Sequence, residues 1–184
     1  MASGSKSRSD SLRLGFLTAV ELQDGGFVGG LLVTDRFGRP LEFQCTTPVR
    51  ANRTQELLYG PTLEPFILGD LIGKALTDRI SIKPTVLMTD RPEMLPLRLQ
   101  VEIPVLCLSK SASDDSGRSA ESHGRVTLGG SSFVVHDEFN EDAEAAAQLG
   151  KPIDRSADLS EPIERVAEAL KETMATVGGK PRAA

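Results

Sequence analysis

The chain has 184 residues, of which 39% are apolar and 26% charged, and its formal charge is −5. That length fits one domain and can bury a core without disulfides or a structural metal. With no tryptophan and one tyrosine, Tyr59, there is no aromatic platform for stacked bases, and without a basic excess there is no signature of a non-specific nucleic-acid binder.

Residues 1–11 are serine-rich, carry Lys6 and Arg8, and are expected to form a disordered tail. They contain no apolar core of a signal peptide. Residues 14–22 alternate, placing Leu14, Phe16, Thr18, Val20 and Leu22 on one face of a strand. Asp24-Gly25-Gly26 supplies the positive φ of a tight turn into a second strand over 27–34. A further turn around Gly38 leads to a third strand over 41–46, completing an antiparallel meander.

Helical signals follow. Thr54 is expected to cap a short turn over 55–59, which Gly60-Pro61 ends. Thr62 is expected to cap a longer helix with Pro65 in its first turn, where a missing N–H does no harm. Leu63, Phe66, Ile67, Leu71 and Ile80 mark its apolar face. Gly69 and Gly73 lie one above the other, and their cost of about 1 kcal/mol each relative to Ala predicts a close approach to the sheet.

A buried strand is expected over 85–89, ending at Asp90, then a turn over 91–97 and another strand over 99–108. Pro104 suggests that this last strand lies at an edge or carries a bulge. Residues 109–124 lack periodicity and read as a mobile loop. Strands at 126–128 and 133–136 flank Gly129-Gly130, and a short acidic helix follows over 141–149. The last helix starts near Asp158 or Ser160 with a stripe of Leu159, Ile163, Val166, Leu170 and Met174. Residues 137–172 carry eleven acidic and four basic side chains and Lys180 and Arg182 follow, so residues 1–136 balance at zero.

The predicted fold is α+β: a three-stranded antiparallel meander extended by further strands into one sheet, covered by a central helix, with a C-terminal helical arm. The expected organisation is a tail over 1–11, the α+β core over 12–108, the mobile loop over 109–124, and a hairpin with a short acidic helix over 125–149. A linker and amphipathic helix over 150–176 and a tail over 177–184 complete it. A meander followed by a helix and a returning strand occurs in the RNase H-like fold and in several small sensor and scaffold folds, so order alone does not choose a function.

Two groups of residues invite chemistry. Thr46, Thr47, Arg50, Asn52 and Arg53 link a strand end to a helix start, where free N–H groups and arginine forks could take a phosphate or carboxylate. The second group is acidic. Asp90 ends the strand after the main helix, Glu56 or Glu64 lies near the helix start, and Glu21 closes the first strand. Such carboxylates around Mg2+ would suit two-metal phosphoryl chemistry, although the mid-strand aspartate expected of an RNase H-like site is replaced near Thr18 or Ala19. His123 falls in the expected loop, and His136-Asp137-Glu138 could ligate a metal or shuttle a proton. Cys45 and Cys107 read as free thiols in apolar runs, and no Cys/His spacing supports zinc.

These features favour a non-catalytic binding or assembly module of a cytoplasmic complex, with no cofactor and a protein partner, recognising an anionic group at the 46–54 loop. Nucleic acid is not indicated by the net charge, and no apolar run approaches the ~20 residues of a membrane span. The alternative is a divergent RNase H-like, Mg2+-dependent nuclease using Glu21, Glu56, Glu64 and Asp90.

Overall fold

Alternation in the first two segments commits the chain to a sheet, and apolar residues at the intervening positions commit both faces of that sheet to burial. The computed structural model describes residues 12–109 and 124–178. The expected tail over 1–11, residues 110–123 of the expected loop over 109–124, and the residues after 178 lie outside them. Seven strands form one mixed sheet: β1 (Arg13–Glu21), β2 (Phe27–Asp35), β3 (Pro40–Cys45), β4 (Val86–Thr89), β5 (Val105–Leu108), β6 (Arg125–Leu128) and β7 (Ser131–Val135). Their order is β3-β2-β1-β4-β5-β7-β6. The first three are an antiparallel meander, β4 and β5 run parallel to β1, and the β6–β7 hairpin extends the far edge. Gly25, Gly38 and Gly129, with φ of 80°, 78° and 56°, make turns that other residues would strain.

The described residues also form four α-helices. α1 is Arg53–Tyr59. α2 comprises three consecutive runs, Leu63–Pro65, Phe66–Gly73 and Lys74–Arg79, the middle one π-helical. α3 is Glu141–Leu149 and α4 is Glu161–Gly178. On one face of the sheet Leu17, Ala19, Leu31, Val33, Leu87 and Val105 pack on Ile67, Leu68, Ile72 and Leu76 of α2. On the other, Leu14, Phe16, Val28, Leu32, Met88 and Phe133 pack on Ile163, Val166 and Leu170 of α4. The C-terminal helical arm is therefore a packed layer of the same domain, its stripe covered by β1 and β2.

Several local expectations change for identifiable reasons. Asn52, not Thr54, caps α1: its side chain accepts from the Gln55 N–H while the Gln55 side chain accepts from the Asn52 N–H. Leu71 is 38% exposed, and Leu68, Ile72, Leu76 and Ile80 form the buried line instead. Gly69 and Gly73 do not face the sheet. They admit the 3-10 segment Pro92–Gln100, where a side chain at Gly73 would meet Leu97 at 2.9 Å. The close approach to the sheet is made by strand glycines. A Cβ on Gly29 would lie 2.1 Å from Ile72 Cγ2, and one on Gly30 would lie 2.8 Å from Val166 on the opposite face. Pro104 is not on an edge. It precedes the inner strand β5, where its carbonyl accepts the Leu87 N–H.

Glu42 of β3 closes the end of α2. Its carboxylate accepts from the N–H groups of Ile82 at 2.7 Å and Ser81 at 2.9 Å, and these bonds, Ile82 first, hold it below its ordinary value of 4.5. A folded-state pKa below the unfolded one gives a contribution that is present above about 4.5 and lost as pH falls through the folded value. Urea unfolding across this range is expected to show wild-type stability falling more steeply with acid than that of Glu42→Gln. Parallel curves would show that the carboxylate adds nothing.

Candidate functional site

Thr18 sits in the middle of β1, opposite Gly30 of β2, on the face covered by α4. The parallel register pairs Leu17 with Thr89, so Asp90, one residue past β4, comes alongside Thr18. The Thr18 hydroxyl donates to Asp90 Oδ1 at 2.6 Å. Thr18 is 2% exposed and Asp90 is half-buried. The turn beyond is fixed locally. Pro92 keeps Arg91 extended, with φ −110° and ψ 107°, and the Thr89 hydroxyl accepts the Arg91 N–H at 3.1 Å. Asp90 thus stands at the carboxyl end of parallel strands, the position where open α/β sheets gather ligands.

The other acidic candidates are not brought to it. Glu21 lies three residues beyond Thr18, on the opposite face, and is exposed. Glu56 is exposed and pairs with Arg53 at 3.0 Å. Glu64 accepts from Arg91 at 2.8 Å, and Glu93 lies 3.7 Å from the same guanidinium. Among the described residues no group of three or more His, Cys, Asp or Glu side chains could hold a metal ion. Magnesium asks for hard oxygen ligands in near-octahedral geometry, and a metal pair needs several carboxylates. The donor set here is one carboxylate with a hydroxyl proton directed onto one of its oxygens, which does not fit a resident Mg2+ pair.

The 46–54 loop starts at the same end of the sheet, since Cys45 pairs with Gly30 and Gly30 with Thr18. At about 4.8 Å per strand, β3 lies about 14 Å from β4. Some of its polar groups hold the fold. The Thr46 N–H donates to Gly29 O, and the Thr46 hydroxyl accepts from Gly29 N–H at 3.0 Å. Asn52 is the α1 cap. Thr47, Arg50 and Arg53 are exposed. Arg50 pairs with Asp24 and holds its carboxyl below the ordinary value, and Arg53 pairs with Glu56. His136 Nδ1 accepts from Glu138 N–H and its ring meets Phe139 edge-on, a capping role. His123 lies outside the described residues. Cys45 and Cys107 are not joined by a disulfide.

Two partnerships carry no clear signal in the sequence. One is the Thr18–Asp90 bond, marked only by a hydroxyl where alternation leads one to expect an apolar or acidic residue. The other is a buried pair between Arg98 and Asp142, residues 44 apart with no local signal.

No protein-family model matches the chain, and no curated protein does. Solved structures do. The catalytic domain of human Endonuclease V superposes with a TM-score of 0.55 at 15% identity, covering 92% of this chain and 85% of that one. A second human structure of the same protein gives 0.53 at 13% identity, covering 91% and 86%. Endonuclease V of Ciona intestinalis, in complex with a 24mer DNA containing an inosine followed by a ribo-adenosine, gives 0.51 at 12% identity, covering 90% and 87%. At these identities the likeness establishes a shared fold: α+β, with a seven-stranded mixed sheet. It corrects the expectation of a protein-binding complex subunit with a protein partner, because the chains that share this fold are nucleases and one of them is bound to DNA. No described helix is long and apolar enough to cross a membrane.

Proposed function

We propose that this chain acts on nucleic acid as a diverged RNase H-like, nuclease-fold protein, with the strand lying across the sheet end where Asp90 meets Thr18. The observation that carries the reading is Asp90 itself, at the carboxyl end of β4 and beside the mid-strand residue of β1, in a fold shared with Endonuclease V. Arg50 and Arg53 would form the cationic margin, with the Thr47 hydroxyl as a neutral donor beside them. Residues 1–136 have no net positive charge, so attraction to phosphate has to be local, and arginine forks suit phosphate oxygens. A second reading, Mg2+-dependent cleavage with Glu21, Glu56 or Glu64 beside Asp90, is favoured by the position of Asp90 and opposed by the separation of the other three.

The test is fluorescence anisotropy with labelled single-stranded and duplex DNA and RNA over a range of salt. The full chain is expected to bind at low salt. Arg50→Ala/Arg53→Ala is expected to bind more weakly, with a log–log salt slope shallower by about 0.7–0.9 for each phosphate that an arginine no longer neutralises. Its thermal stability should barely change, because exposed ion pairs contribute about 0–1 kcal/mol. Absence of binding to every oligonucleotide, or an unchanged slope in the double variant, would refute the reading.

A further inference from the structure

Resting on that reading, we infer that this site holds a nucleic-acid strand without a metal pair and without divalent-dependent hydrolysis: Thr18 and Asp90 form a singly charged contact in place of a cluster of carboxylates. Two-metal hydrolysis needs carboxylates that converge on ions about 3.5–4 Å apart. Among the described residues one carboxylate stands at the site, and one of its oxygens accepts a hydrogen bond from a buried hydroxyl at 2.6 Å. That bond leaves Asp90 Oδ2 and a further lone pair open, enough for one cation contact, but a metal pair asks for several carboxylates and the described residues bring no other to this point.

The other carboxylates are held elsewhere by structure rather than by chance. Glu21 is on the wrong face of β1, and a strand cannot bring it round without shifting every neighbour to the opposite side. Recruiting Glu64 would strip its partner from Arg91, whose Nε is already buried without a hydrogen bond. Glu56 sits on α1, bound to Arg53. The site retains a half-buried acceptor carboxylate, fixed from beneath by the buried Thr18 hydroxyl, and exposed Arg50 and Arg53 at the same sheet end. What it lacks is the charge to hold two cations and activate water.

The full chain and Asp90→Asn are to be compared in three measurements. These are anisotropy with the same oligonucleotides in EDTA, Mg2+ and Mn2+ at matched ionic strength, thermal unfolding with and without Mn2+, and denaturing gels of the labelled strand. Expected are binding in EDTA that divalent ions do not tighten, no Mn2+-dependent rise in Tm, and no cleavage above the protein-free control. Tighter binding, a raised Tm or strand scission that appears with Mn2+ or Mg2+ and vanishes in Asp90→Asn would overturn the inference while leaving nucleic-acid binding intact. Failure to bind in any buffer would instead defeat the reading beneath it. Because Asn preserves an oxygen for the Thr18 hydroxyl, the variant is expected to fold, and the wild-type measurements decide the matter if it does not.

Discussion

Asp142→Ala is expected to lower the unfolding free energy by about 3–5 kcal/mol, the usual cost of stripping one partner from a buried ion pair. Arg98 Nε donates to Asp142 Oδ2 at 2.5 Å and its second nitrogen to Oδ1 at 3.2 Å, a two-pronged contact. The side chains are 14% and 5% exposed, so water cannot replace the missing carboxylate. The guanidinium also donates to Val101 O at 2.8 Å and lies 4.0 Å over the Phe139 ring, which holds it in place after the substitution. The pair joins the Pro92–Gln100 segment, whose Met94 and Leu97 belong to the core under α2, to α3, whose Ala146 belongs to the core on the other face of the sheet. Urea unfolding measures the loss. A change below about 1 kcal/mol would mean that the pair behaves as an exposed one.

Gly29→Ala is expected to destabilise by about 1–3 kcal/mol through overpacking. The added methyl would fall 2.1 Å from Ile72 Cγ2, inside any permitted contact, and Ile72 is fully buried. Gly69→Ala provides the contrast, since its nearest neighbour, the Glu93 carbonyl oxygen, is at 3.4 Å and a helix gains propensity from alanine. The double variant Gly29→Ala/Ile72→Ala should be destabilised by less than the sum of its parts, because each change relieves the other. Strict additivity in denaturant unfolding would show that Gly29 and Ile72 do not meet.

What was legible in the sequence was what local rules govern. The meander could be read from alternation and turn glycines, and Asp90 could be placed at a strand end. The second buried face was less visible, since Leu14, Phe16 and Thr18 drew attention to one side while Gly15, Leu17 and Ala19 quietly made the other apolar. The π-helical run in α2 displaced the expected stripe, which is why Leu71 is exposed and Leu68 is not. The stripe on α4 showed that something must cover it, and only the structure names β1 and β2. At the site, the opposite facing of Glu21 followed from strand parity. The capture of Glu64 by Arg91, 27 residues on, depends on tertiary placement that no spacing encodes.

The packing of α4 against β1 and β2 also sets an order of events during synthesis. The α2 side of the sheet is assembled from residues that are all made by Val105, whereas the opposite side, Leu14 and Phe16 included, waits for Ile163, Val166 and Leu170. At about 5–20 residues per second, that wait is on the order of ten seconds. Throughout it a growing chain carries one finished core and one bare apolar surface. α4 is the helix that conceals it.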